Sequence, residues 1–246
     1  MSDRYRVRLA YDGTGFHGSQ YQPDLRTVQG EMERALQKLN WQGPSVLFAG
    51  RTDAGVHAAG QVIAFDLVWN HTEKELTQAL NAVLPQDISA VQVSRTTSDF
   101  HPRYDALSRE YHYRILSSPN RDPLRERFVW RVWPQVNLRL MKRTSKCLVG
   151  SHDFAAFGNP HQPGGSTVRN ISRASWKKQG DLLVFEVVGN AFLYHMIRRI
   201  VMVVVKIGQG KEQPNNVKRY LSDPSGPPSQ GLAPASGLTL IEVRYR

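Results

Sequence analysis

The chain has 246 residues, enough to bury a substantial core as one large domain or two modest ones; its 40% hydrophobic and 22% charged residues exclude a disordered or fibrous protein. Lys and Arg total 32 against 21 Asp and Glu, a net charge of +11. Of those cations 23 are Arg and 9 are Lys. A guanidinium grips phosphate with two parallel hydrogen bonds and stacks on bases, so the bias points towards nucleic acid, with a solvated Arg-rich surface as the plainer alternative.

Cys147 is the single cysteine, which rules out an intrachain disulfide and suits a reducing compartment; its apolar-periodic surroundings make it a core filler rather than a nucleophile. The first residues lack an apolar signal core. The most apolar run, 197–207, is broken by Arg198, Arg199 and Lys206 and is too short for a bilayer. The expectation is a soluble, cytoplasmic protein with no membrane partner.

Along the chain, residues 4–11 alternate apolar and polar, with Val7, Leu9 and Tyr11 on one face, and predict a strand. Val28, Met32, Ala35, Leu36 and Leu39 recur at helical spacing behind Thr27, a candidate N-cap. Strands are predicted at 46–49 and 61–67, with the Gly-rich stretch 50–60 between them. Thr72 and Glu75 form a capping-box pattern that opens a helix through Val83, and 88–95 closes the unit as a strand. The order is β-α-β-β-α-β, the split βαβ arrangement.

A second pass reads the same way. Residues 109–116 predict a strand, 138–149 a helix, 171–177 and 182–188 a hairpin turning at Gln179-Gly180-Asp181, 192–207 a helix and 238–245 a closing strand. The expected fold is α+β: two similar split β-α-β units of ferredoxin or RRM type, mainly antiparallel, with helices packed on the sheet. The expected domains are 1–107 and 108–246. Residues 117–134 form a proline-punctuated insertion in which Arg121, Arg125, Arg127 and Arg131 alternate with Phe128, Trp130 and Trp133. Phosphate contact and base stacking use that mixture, and a solvated loop pinned by buried aromatics explains it as well.

The stretch Gly50-Arg51-Thr52-Asp53-Ala54-Gly55-Val56-His57-Ala58 lies between two predicted strands. Its glycines and small residues allow a tight turn and a close ligand approach, and they set one carboxylate, Asp53, next to one cation, Arg51. A hairpin loop in which Asp53 merely caps a turn is the plain alternative.

This stretch resembles the signature of TruA-type tRNA pseudouridine synthases. Tyr11-Asp12-Gly13 with Gly18 and Gln20, then Thr27-Val28-Gln29, resembles the opening of that family, and Phe100-His101-Pro102-Arg103 with Arg109-Glu110-Tyr111-His112-Tyr113 its middle. Arg169-Asn170-Ile171, Asn190 through Arg198, and Gly237-Leu238-Thr239-Leu240 follow in the family's order, so the resemblance covers essentially the whole chain. Ser19 departs from the tryptophan usual after the glycine that matches Gly18.

The resemblance implies the pseudouridine synthase fold with a central RNA-binding cleft, and an isomerase that breaks a uridine's N-glycosidic bond, rotates the base and rejoins it through C5. It implies Asp53 as the catalytic carboxylate, either attacking C1′ as a nucleophile or acting as a base on the sugar. Arg198 matches the residue that pairs with this aspartate, Tyr111 the tyrosine against the target base, and Arg51 the arginine that holds the space of the flipped nucleotide. Leu238 and Leu240 match the apolar wall beneath the base. By the residues alone, Arg198, adjacent to Arg199, reads rather as a surface arginine, and Tyr111, Tyr113, Leu238 and Leu240 as core. His57 and His195 are expected to make structural hydrogen bonds.

No metal-ligand spacing or Walker loop is present, and an isomerisation needs no cofactor. The implied substrate is tRNA at positions 38, 39 and 40 of the anticodon arm, with the protein as a homodimer. Two other readings stand beside it: a pseudouridine synthase with a different RNA target, and a non-catalytic RNA-binding protein.

Overall fold

The computed structural model describes residues 2–160 and 162–246, which form two compact units. The first runs to Leu107 and includes Thr239–Arg246; the second is Ser108–Leu238.

In the first unit, strand β1 (Asp3–Tyr11) buries every second side chain, so Tyr5, Val7 and Leu9 are wholly enclosed. Helix α1 (Val28–Gln37) begins where Thr27 accepts a hydrogen bond from the Gly30 N–H, and it buries Val28, Met32 and Leu36. The short strand β2 (Leu47–Phe48) pairs with β3 (His57–Leu67). Helix α2 (Glu73–Val83) carries the expected capping box between Thr72 and Glu75, and β4 (Ile88–Thr96) follows. β1 lies between β3 and β4, antiparallel to both, with Val7 opposite Ile63 and Val93.

β3 starts at His57, not near residue 61, so the second half of the Gly-rich stretch is strand rather than loop. The cause is distant in sequence. Strand β10 (Leu238–Arg244) pairs with it in parallel, Thr239 with His57 and Leu240 with Ala58. A Cβ at Gly60 would stand 2.2 Å from the Ile241 carbonyl oxygen, so only glycine permits this approach. The Tyr245 hydroxyl donates to the Pro102 carbonyl, 2.7 Å. These contacts place 239–246 with the first unit, whereas the sequence reading gives 108–246 as one domain.

The second unit holds β5 (Ser108–Ser117), β6 (Trp130–Val132), α3 (Leu138–Ser145), β7 (Gly150–Asp153), β8 (Val168–Gln179), β9 (Leu182–Gly189), α4 (Met196–Gly208) and α5 (Asn216–Ser222). Strand order is β5-β9-β8-β7, all antiparallel, with β6 added in parallel to β5. The hairpin between β8 and β9 turns where expected, with Gly180 at φ 60°.

β6, β7 and α5 fall outside the elements expected from the sequence pattern. α3 ends at Ser145 and tightens into a 3-10 turn over Lys146–Leu148. The Cys147 Sγ–H donates to the Thr144 carbonyl and its thiol pKa is raised, first by burial, as suits a packing residue. α4 starts at Met196 rather than 192. Asn190 caps the chain locally through its Oδ1, which accepts from the N–H groups of Asn170 and Ala191, and His195 turns into the helix at φ 66°.

In the insertion 117–134 most of the arginines are engaged by carboxylates, and valines rather than aromatics are the buried residues. Arg121 and Arg131 both bind Glu126, and Arg125 binds Asp122 and Asp181. Val129 and Val132 are buried, and Trp130 sets its edge against Tyr113. Phe128 and Trp133 are half exposed.

Candidate active site

In the first unit, two motifs 40 residues apart in sequence clasp each other. Gly18 sits at φ 94°, a left-handed conformation, with the Thr52 carbonyl 2.9 Å from where a Cβ would be. Beside it Ser19, 1% exposed, binds Thr52 twice: its Oγ accepts from the Thr52 N–H at 2.8 Å, and its own N–H donates to the Thr52 carbonyl at 3.0 Å. The Thr52 hydroxyl bonds the Tyr11 hydroxyl at 2.9 Å, and Gln61 Nε2 donates to the Gly50 carbonyl at 2.9 Å. Every polar backbone or side-chain group of Thr52 is thereby used, which fixes the residue before Asp53. The serine that departs from the family pattern serves as this clamp.

Beyond Asp53, the Gly55 N–H donates to the Phe16 carbonyl and the Val56 N–H to the Asp53 carbonyl. A Cβ at Gly13 would lie 2.0 Å from the Val56 carbonyl oxygen. The Gly13 N–H donates to His57 Nδ1 at 3.0 Å. The Asp12 carboxylate lies 3.2 Å from the same nitrogen. The Phe16 ring carries Arg26 on its face at 4.3 Å, and Arg26 is held by Asp87 and Glu31. Burial pushes the Tyr11 hydroxyl up to about 12, so it stays protonated and able to donate.

This frame leaves Asp53 half-buried and Arg51 exposed. Among the described residues no ion pair joins Arg51 to Asp53, so adjacency on the loop does not make them partners. Leu240, wholly buried in β10, opposes Ala58.

In the second unit, Tyr111 lies on β5 opposite Val187, 8% exposed, with its ring edge-to-face to Phe192 at 5.3 Å. Tyr113 is wholly buried, its hydroxyl donating to the Pro234 carbonyl at 2.7 Å, while Gly237 lies flat against its ring. Arg198, half-buried in the first turn of α4, donates through Nε to the Ala233 carbonyl at 2.8 Å, and its own carbonyl accepts from the Ala233 N–H. That reciprocal pair ties α4 to the segment leading into Gly237 and Leu238, the latter 6% exposed. Arg198 is thus an oriented side chain and not a loose surface arginine.

The first unit holds Arg51, Asp53 and Leu240, and the second Tyr111, Arg198 and Leu238. Sequence reasoning missed Tyr11, Ser19 and Gln61 as the residues that hold the Asp53 loop; the departure at Ser19 was the only signal. Among the described residues no group of three or more His, Cys, Asp or Glu could hold a metal ion, and no helix is long and apolar enough to cross a membrane.

A glycine-built loop that fixes one carboxylate, in a basic chain of two α+β units, fits the class of proteins that act on nucleic acid. Residues 9–105 and 145–246 match the family described as tRNA pseudouridine synthase, and the chain belongs to that family. The whole of the insertion 117–134 falls in the gap between the matched segments. The chain is 39% identical over 244 residues to tRNA pseudouridine synthase A 1 of Bacillus cereus, covering 99% of each chain. It is 40% identical over 248 residues to tRNA pseudouridine synthase A of Geobacillus kaustophilus, covering 100% of this chain and 95% of that one. The protein of the same name from Fervidobacterium nodosum is 40% identical over 245 residues, 98% and 99% of the two chains.

Proposed function

We propose that this protein isomerises uridine to pseudouridine in tRNA, at positions 38, 39 and 40 of the anticodon arm, acting as a cytoplasmic homodimer. The observation that carries the reading is the Asp53 loop. Two glycines of one motif, Gly13 and Gly18, stand where a Cβ would collide with the backbone of the other, and the two motifs converge to fix one half-buried carboxylate.

In the proposed reaction the Asp53 carboxylate attacks C1′ as the glycosidic bond breaks, the detached uracil rotates, and C5 bonds to C1′ while the carboxylate leaves. The C5 proton passes to water and N1, released from C1′, takes one up, so atoms and charge balance without a cofactor. Arg198 is proposed as the cation that keeps Asp53 ionised, Tyr111 as the ring against the base, and Leu238 and Leu240 as its apolar wall. Arg51, exposed on the loop, is suited to hold the RNA open where the target nucleotide has left.

The test uses unmodified tRNA transcript carrying tritium at uridine C5. Wild type should release tritium to water, and Asp53→Asn should bind the transcript with unchanged affinity and release none. Release by Asp53→Asn at the wild-type rate would remove Asp53 from the chemistry. Binding without release by wild type would leave an RNA-binding protein instead. Mapping of modified positions across a tRNA pool tests the anticodon arm, and sedimentation tests the dimer.

A further inference from the structure

Tyr104 is 75% exposed, more than any other aromatic residue described, yet the backbone beneath it is held firmly. The His101 N–H donates to Asp105 Oδ2 at 2.8 Å, the Asp105 N–H returns to the His101 carbonyl at 3.1 Å, and His101 Nδ1 accepts from the Arg103 N–H at 3.1 Å. Below this turn, Phe100 and Pro102 are buried; Phe100 packs on Tyr245, whose hydroxyl holds the Pro102 carbonyl. Arg6 lies over both the Phe100 and Tyr245 rings. The turn is therefore a fixed mount, and the ring at its tip takes no part in the core.

One face of the Tyr104 ring rests on His101, with centroids 4.3 Å apart and planes inclined by 37°. The rest of the ring faces solvent. An exposed tyrosine forgoes most of the stabilisation that burying an aromatic ring gives, so the position contributes little to folding. A ring backed on one side by a second ring and open on the other is suited to receive a flat π-system. In a protein of net charge +11, whose Arg103 neighbours this ring in sequence, that π-system is a nucleobase rather than a peptide side chain.

We propose that Tyr104, backed by His101, is a stacking platform for an unpaired base of the RNA substrate, separate from the base that reacts. The proposal rests on the tRNA reading above.

The test measures the affinity of unmodified tRNA transcript for wild type, Tyr104→Ala, Tyr104→Phe and Tyr104→Trp across a salt series. Loss of one stacked base should raise Kd on the order of 10-fold for Tyr104→Ala, with Phe and Trp within about twofold of wild type. The slope of log K against log salt should not change, because no phosphate contact is lost, and melting should be unaffected. Wild-type affinity in Tyr104→Ala overturns the platform, as does a changed salt slope. A changed oligomeric state with unchanged affinity also overturns it, in favour of a protein-contacting surface. These readouts do not depend on turnover. Failure of tritium release by wild type would sink the proposed reaction while leaving the affinity comparison to decide Tyr104.

Discussion

Ser19→Ala isolates the clamp on the Asp53 loop. The methyl occupies nearly the same space as the hydroxymethyl group, so no cavity opens, and the Ser19 N–H still reaches the Thr52 carbonyl. What changes is the Thr52 N–H, buried and deprived of the Oγ acceptor it holds at 2.8 Å. An unsatisfied buried donor costs about 1–3 kcal/mol. At about 2–4 °C per kcal/mol for a chain of this size, Tm should fall by about 2–12 °C. With one of its two ties to Ser19 cut the loop shifts rather than unfolds, and a displacement near 1 Å costs on the order of 100-fold in rate. Tritium release should therefore show kcat reduced by about 10- to 100-fold, with KM for tRNA within about twofold. Tyr11→Phe acts on the same threonine through its side chain, so the double variant should depart from additivity. Wild-type Tm and kcat in Ser19→Ala would refute the clamp.

Arg51→Ala and Tyr111→Phe should melt like wild type and lose most tritium release; a large drop in Tm would make either residue structural. Tyr113→Phe should do the reverse, losing about 1 kcal/mol with its bond to Pro234 while keeping activity. Burial raises the Tyr11 pKa to about 12, so the folded state binds more protons than the unfolded one between the unfolded value of 10.0 and 12. This contribution is complete below pH 10 and is lost as pH rises through that window. Alkaline melts of Tyr11→Phe should thus decline less steeply than those of wild type, and parallel curves would contradict the assignment. tRNA binding should weaken steeply with salt, since phosphate contacts release counterions; a flat response would contradict a basic RNA-binding surface.

Elements with a long local pattern were legible from the sequence. The alternation of β1, the capping box of α2 and the Gly180 turn between β8 and β9 are each set by residues within a few positions of one another. The candidate residues were legible by resemblance, as side-chain types in a known order. Their geometry was not. Nothing near residue 57 states that β3 begins there, because its partners come from Tyr11 and from 239–240, and nothing near Ser19 states that its hydroxyl holds Thr52. Arg51 and Asp53 look like a pair in the sequence because they are two positions apart, yet the structure leaves Arg51 exposed and fastens the residue between them. The sequence by itself determined the α+β class, the basic character and the motif that carries the carboxylate, since these follow from composition, local periodicity and short spacing. Only the tertiary structure decided where the closing strand belongs and what holds the Asp53 loop, because those depend on backbone groups far apart in the chain that meet only when it folds.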